Sequence, residues 1–394
     1  MPRVHGLAAL AVLTSLGTSL GVAGEPFQGP DEALHHPVIA TTDSAGATDG
    51  SGGVRHHRAQ STLPGVSPEE FGAVPNDGHN DYRALQRAID VAAQRGVPVR
   101  LAPNATYKSR HWLRLVNGSS LVGAGSTSVI RFHWRKNDHQ NDGYYVGNRD
   151  QMHGNRHITV ARLHIEGAGT GRPVGLSAGN RLPNVPAIRM RLVHGLRIHH
   201  VEVSRAPGIS MLLQGNRGVR VRHNFVHNSG RDGINIGWFK HDSRRVLIEG
   251  NLIRRVGDDG IAIIGAPPTY HEPSGVQYRI LRNRILGWAN DPNGQQLGRG
   301  ISVLGARRVL IRHTRIRRPD SAGILIAPSS RPDHWNHHAL WRSKRVHVAH
   351  NNIGRINTTG LLIKDAVRIH WHSNTFVALR RDVGVFTCRK CHAG

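Results

Sequence analysis

One phrase recurs along this chain and limits what it can fold into: a short apolar strand, a turn bearing an asparagine, a loop, and a second strand opened by glycine. The first strands begin at Val219, Val246, Tyr278, Val309 and Val346, and five residues on stand Asn224, Asn251, Asn283, Thr314 and Asn351. Asn374 opens a last, imperfect copy. The second strands open at Gly208-Ile209, Gly233-Ile234, Gly260-Ile261, Gly300-Ile301, Gly323-Ile324 and Gly360-Leu361. Units this short cannot bury an apolar face alone, so they stack, each coil running in the same direction as the last. Equivalent positions of adjacent coils then lie about 4.8 Å apart, the spacing of paired strands. An asparagine at each turn can join a ladder of amides that satisfies buried backbone groups, so these asparagines are read as structural. The expected fold is all-β, a solenoid of parallel strands from about residue 120 to about 385.

A coil stack has an apolar end that needs a cover. Tyr82, Leu85, Ala88, Ile89 and Ala92 fall at helical spacing, Asn80 or Asp81 can cap the start, and Gly96 ends it. This predicts a capping helix over 82–95, followed by a strand and turn over 97–107. At the other extreme, Met1-Pro2-Arg3-Val4-His5 precedes an apolar run from Leu7 to Val22 with small residues at its exit. That pattern reads as a secretory leader over 1–24. Residues 25–66, rich in Gly, Ser, Thr, Pro and His, read as a disordered linker, and 67–394 as the solenoid with its cap and tail. No later stretch has the length of a membrane span, so the expected location is secreted or periplasmic.

Charge narrows the partner. The chain carries 52 Lys+Arg against 26 Asp+Glu, a formal net charge of +26, and only six of the cations are lysine. Arginine suits bidentate recognition of carboxylate, sulfate or phosphate, although a codon bias towards arginine gives the same composition. The net charge favours a polyanionic partner. Aromatic residues make up 5% of the chain, too few for base-stacking platforms, so nucleic acid is not the expected partner.

The chemistry concentrates in two neighbouring repeats, Gly230-Arg231-Asp232-Gly233-Ile234-Asn235-Ile236 and Gly257-Asp258-Asp259-Gly260-Ile261-Ala262-Ile263. Aligning the second strands puts Pro207, Asp232, Asp259, Arg299, Ala322 and Thr359 in one column. Ala206, Arg231, Asp258, Gly298, Ser321 and Thr358 fall in the next. Alternation turns Ile234 and Ile236 inward, and Asn235, Ser302 and Lys364 out to the wall that bears the carboxylates. Asp232, Asp258 and Asp259 should form one solvent-facing cluster. Three carboxylates on one wall repel unless something uses them, which suits acid–base chemistry or a cation.

The order FGAVPNDGHND, helix, VPVRLAPNATY resembles the N-terminal cap of the pectate-lyase-like, right-handed parallel β-helix superfamily, and the likeness runs over residues 70–385. Within it, the motif order resembles the polygalacturonase-like glycoside hydrolases of family 28, which carry Asn-Thr-Asp-Gly, Asp-Asp, Gly-His-Gly and Arg-Ile-Lys. Here these stand as Gly230-Arg231-Asp232-Gly233, Asp258-Asp259, Gly298-Arg299-Gly300 and Leu362-Ile363-Lys364, so a histidine and an arginine are replaced. The resemblance implies an inverting hydrolase of acidic, uronate-type polysaccharide that needs no cofactor. Asp258 or Asp259 is then the general acid, and Asp232 with the remaining carboxylate positions water. Arg299 and Lys364 hold the substrate carboxylate, and Arg231, Asn235 and Ser302 flank them.

Two other readings use the same residues. In β-helix polysaccharide lyases an Arg or Lys is the base and Asp residues often hold calcium. Arg299 would be that base, with Ca²⁺ on Asp232, Asp258 and Asp259 to acidify the substrate proton. In a non-catalytic, polysaccharide-binding envelope protein the aspartates are turn formers. The loops over 267–276, 288–297 and 331–342 interrupt what reads as the same part of the repeat. Trp335 and Trp341 in the last of them can stack on sugar rings or pack over the coil edge. Cys388-Arg389-Lys390-Cys391-His392 has the spacing of haem attachment but no following segment to cover a haem, so a disulfide stapling the C-terminal end is expected.

Overall fold

The structure, a computed structural model, describes residues 64–133, 143–169, 185–267, 278–287, 298–319, 321–330, 340–354, 359–377 and 381–394. The leader over 1–24 and the linker as far as residue 63 lie outside the described residues. Val66, assigned to the linker, belongs to the fold: it is buried and bridges in parallel to Val99.

Each coil is three strands, and strands of one kind stack into one ladder. The first ladder includes Arg217–Arg222, Arg244–Glu249, Tyr278–Leu281, Arg307–Arg312 and Lys344–Ala349. The second includes Phe225–Ser229, Leu252–Val256, Arg284–Leu286, Arg315–Arg317 and Asn352–Gly354. The third includes Met211–Gln214, Ile234–Gly237, Ile261–Ile264, Ile301–Leu304 and Ala322–Ala327. Every pairing in these ladders is parallel, as the repeat predicts. Thr359–His372 continues the third ladder with its first half and the first ladder with its second half.

Alternation fills the interior. Val219, Val246, Tyr278, Val309 and Val346 stack from the first ladder, and Ile234, Ile261, Ile301, Ile324 and Leu361 from the third, all buried. β-Branched side chains suit this stacked, pleated surface, and each fully buried one contributes roughly 1.5–3 kcal/mol.

The turn between first and second strands is polar and satisfied. Asn224 Nδ2 donates to Ile198 O at 3.1 Å and to Asn251 Oδ1 at 2.9 Å. Asn251 Nδ2 donates to Val221 O at 3.0 Å and to Asn283 Oδ1 at 2.9 Å. Past Thr314 the pattern resumes, with Asn351 Nδ2 donating to Ile311 O and Asn374 Oδ1. The residue before each member of this ladder is left-handed: His223, Gly250, Arg282, His313, His350 and Ser373 all have φ between 50 and 65°. The sharp corner fixes the backbone there whatever the side chain, and the amide ladder offsets the strain.

The helix Tyr82–Arg95 lies over strands Leu113–Leu115 and Ser120–Val122 near the N-terminal end and buries Leu85, Ala88, Ile89 and Ala92. Gly96 ends it at φ 67°. Its start is not capped by a side chain. Asp81 instead accepts the backbone N–H groups of Val74 and Lys108, and Asn80 accepts that of Arg110. Both side chains tie the helix to the coils beneath it.

The repeat misled the alignment in one coil. Met211 pairs with Ile234, so Ser210 holds the position of Gly233, and Ile209 rather than Pro207 stands beside Asp232. Gly208 lies three residues ahead of the strand, beside Arg231, whose N–H it accepts at 3.1 Å. The nine-residue step from Phe225 to Ile234 recurs from Glu202 to Met211, and that step, not the glycine, sets the register.

Candidate active site

The column that holds the carboxylates is the turn leading into the third ladder. Gly233 N–H donates to Asp259 O, Gly260 N–H to Arg299 O, and Gly300 N–H to Ala322 O, each at 2.9–3.0 Å. Backbone pairing thus stacks Asp232, Asp259 and Arg299 on successive coils, and Asp258 sits one residue to the side. Glycine follows each of the three because the next coil comes too close for a side chain. A Cβ on Gly233 would stand 2.7 Å from Gly260 O, and one on Gly260 the same distance from Gly300 O.

One carboxylate oxygen from each of Asp232, Asp258 and Asp259 lies within 4.8 Å of the others. The expected cluster is present, but it is not solvent-facing: Asp232 and Asp259 are each 4% exposed, and the Asp258 side chain is 12% exposed. Asp232 accepts from Asn235 Nδ2 at 2.6 Å and from Asp259 N–H at 3.4 Å. Asp259 accepts from Arg299 N–H at 3.2 Å, from Arg299 Nη1 at 3.0 Å, and from the Ser302 hydroxyl. Among the described residues Asp258 has ion-pair contacts alone, to Arg299 Nη1 at 3.6 Å and Arg231 Nη2 at 3.9 Å, and its buried Oδ1 receives no hydrogen bond.

Three negative charges face two guanidinium groups, so the cluster favours keeping one proton. Burial, then the charges of Asp232 and Asp259, pushes Asp258 up to about 8 against the pull of Arg299 and Arg231. Burial and Asp232 push Asp259 up to about 6, opposed by Arg299 and Ser302. Asp232 is raised by burial and held down by Asn235 and Arg231. The proton belongs to the trio, and it rests most readily on Asp258, the member without a hydrogen-bond donor. Such a site can offer a carboxylic acid beside two carboxylates at neutral pH.

Arg299 is a counter-ion here. Burial works to lower its pKa, but Asp259 and Asp258 together raise it above the ordinary value, which opposes its loss of a proton as a base. Calcium does not suit the donor set either. The ion takes six to eight oxygens, whereas these carboxylates already receive Asn235, Ser302 and Arg299, and two arginines repel a divalent cation.

Other candidates lie elsewhere. Lys364 is exposed, three strands along the third ladder from the coil of Asp259, which is ~14 Å at the spacing of paired strands, and five residues further along the strand direction, so it does not join the cluster. Trp341 is no sugar platform: it is 5% exposed, donates its indole N–H to Gly265 O at 3.0 Å, and packs over Gly305. Trp335 and the segments 268–277, 288–297 and 331–339 lie outside the described residues. Their flanking strands correct the expectation of one common insertion point. The first and last segments join third-ladder to first-ladder strands, and 288–297 joins a second-ladder strand to a third-ladder one. Arg189 was not foreseen. It is buried in the outward column that continues through Leu212 to Asn235, and the misplaced register at Gly208 hid it. Cys388 and Cys391 form the expected disulfide.

A family model described as "Right handed beta helix region" matches residues 151–391. No curated protein matches the sequence significantly. Among solved structures, the family 28 exopolygalacturonase of Yersinia enterocolitica is 14% identical with a TM-score of 0.55, covering 84% of this chain and 78% of that one. The catalytic unit of the thermostable GH87 α-1,3-glucanase from Streptomyces thermodiastaticus is 19% identical with a TM-score of 0.52, covering 85% and 70%. PfbA, a surface adhesin of Streptococcus pneumoniae, is 14% identical with a TM-score of 0.53, covering 83% and 91%. At these identities the likeness is one of fold. With its parallel coils, its three strand ladders and a family match over most of its length, the chain belongs to the right-handed β-helix family.

Proposed function

We propose that this protein is an exported hydrolase of glycosidic bonds in an acidic polysaccharide. The observation that carries the reading is the buried trio itself: three carboxylates within 4.8 Å of one another, with two arginines at its edge that fall one charge short of balancing it. In this reading Asp258 gives its proton to the leaving glycosidic oxygen, and Asp232 and Asp259 orient and deprotonate water. Arg299 keeps Asp259 ionised and, with Arg231, offers positive charge to a substrate carboxylate. Lys364 contacts a more distant part of a chain-like substrate. The trio is tighter than the ~6.5–9.5 Å that leaves room for water between an acid and a base, so the water is seated beside the trio rather than within it.

The folds shared with an exopolygalacturonase and an α-1,3-glucanase support a sugar polymer as the ligand. The formal charge of +26 supports an acidic one. The lyase reading is disfavoured by the ion pairs that hold the proton on Arg299. Purified protein incubated with a panel of polyuronates and sulfated glycans decides the matter. New reducing ends without the absorbance of unsaturated uronates mean hydrolysis. Both signals together mean a lyase, and binding without either means the non-catalytic reading.

A further inference from the structure

A second cluster lies on the outer face of the first ladder, near the C-terminal end, and the proposed hydrolysis does not use it. His347 sits on strand Lys344–Ala349, and His370 and His372 sit on the second half of Thr359–His372. The register pairs His347 with His370 and Ala349 with His372. The flanking Val346, Val348 and Ile369 are buried in the interior, so alternation turns the three imidazoles out on one face. Ring centroids stand 4.9 Å apart for His347 and His370, 4.9 Å for His347 and His372, and 5.2 Å for His370 and His372. One ring nitrogen from each lies within 4.8 Å of the others.

Packed imidazoles alone could be a stacking ladder, as at His313 and His350. Here a separate observation points to a ligand: His347 Nε2 is buried and has no hydrogen-bond partner among the described residues. A buried ring nitrogen without a partner is a cost to the fold that a metal–nitrogen bond would remove. We propose that His347, His370 and His372 bind a divalent transition-metal ion of the zinc, copper or nickel type, pinning the last coils together. Three imidazoles select such ions over calcium or magnesium, which want oxygen donors. Zinc–nitrogen bonds of about 2.0–2.1 Å put tetrahedral ligand atoms ~3.4 Å apart, so the ring nitrogens close by at most about 1.4 Å through side-chain rotation. His392, whose ring is 4.6 Å from that of His370, or a water completes the sphere. Arg312 also faces His347 and works against a cation, so affinity rests on the nitrogen donors and not on charge.

The test uses the full, untagged chain. Zn²⁺ is titrated in competition with a chromophoric chelator, and Co²⁺ is added separately to read its visible absorption. The expected result is one tight ion per chain, a tetrahedral-type Co²⁺ band, and a melting temperature that rises with added Zn²⁺. His347→Gln and His372→Gln, with circular dichroism unchanged, should each weaken binding at least tenfold and remove the band. A variant with His35, His36, His56 and His57 all changed to Gln should bind as the parent does. Binding that follows those N-terminal histidines overturns the proposal. So does binding that survives His347→Gln, or the absence of any tight site in the parent. If His347→Gln misfolds, His372→Gln and the Co²⁺ band of the parent still decide it.

Discussion

Between first and second strands the chain turns on Asn224, Asn251, Asn283, Thr314, Asn351 and Asn374; between second and third it turns on Asp232, Asp259 and Arg299. Both columns stack coil on coil, and all of these residues but Asn374 and Arg299 are buried. In the asparagine column Asn224, Asn251 and Asn351 each give their amide protons to a backbone carbonyl and to the next side chain, and Asn283 and Asn374 each give one to a backbone carbonyl. In the aspartate column charges of one sign are brought together, and Asp258 Oδ1 receives no hydrogen bond. The first column is what a satisfied network looks like in a structural role. The second stores unfavourable electrostatics, as sites of proton transfer do.

The largest effect expected from this contrast is on turnover. Asp258→Asn mimics the protonated acid in shape but cannot give its proton away, so activity should fall by roughly 10²–10⁴ while the fold holds. Turnover and melting temperature are measured side by side. A lowered melting point with turnover kept would make the aspartate a turn former and erase the distinction between the columns.

Asn251→Leu probes the other column. It removes donors to Val221 O and Asn283 Oδ1 and the acceptor used by Asn224. Each buried group left unpaired costs about 1–3 kcal/mol, so the melting temperature should drop by several degrees. Turnover of the still-folded protein at low temperature should be unchanged. If turnover fell as steeply as with Asp258→Asn, the asparagines would not be purely structural.

The pH dependence of stability follows from the raised Asp258. Unfolded, the group loses its proton near 3.8; folded, it keeps it to about 8. The folded state therefore binds more protons across that interval, and this contribution to stability is whole below the lower value and lost as pH rises towards the upper. Thermal melts between these limits should flatten in Asp258→Asn relative to the parent. Equal slopes would mean that the proton resides elsewhere.

Ser302→Ala is the mildest change. The hydroxyl donates to Asp259 and helps keep it ionised, so its loss should move the acid limb of the pH–rate profile upward. The hydrogen bond is worth about 1 kcal/mol net, so turnover at the optimum should change only a fewfold. An unshifted limb would remove Asp259 from the group that activates water.

Much of this was legible because a solenoid writes its geometry as a period. Asn251 and Asn283, or Asp232 and Asp259, are neighbours because they hold the same place in the phrase, and stacked coils turn repeat position into proximity. The reading slipped where a local signal stood in for the period, at Gly208, and where the side chain's surroundings mattered more than its column. Trp341 lies in a segment that reads as a binding loop, yet its N–H is consumed by Gly265 O. Lys364 shares the wall but is three strands away.

The sequence by itself determined the parallel coils, the amide ladder, the capping helix and the gathering of Asp232, Asp258 and Asp259, since all of these follow from spacing along the chain. Only the tertiary structure decided that the trio is buried and that Arg299 lies on Asp259 and Asp258 as their counter-ion. It alone put His347 beside His370 and His372 with one nitrogen unpartnered. Burial and charge pairing depend on what neighbouring coils and loops place around a group, and a repeat fixes the address of a side chain but not its surroundings.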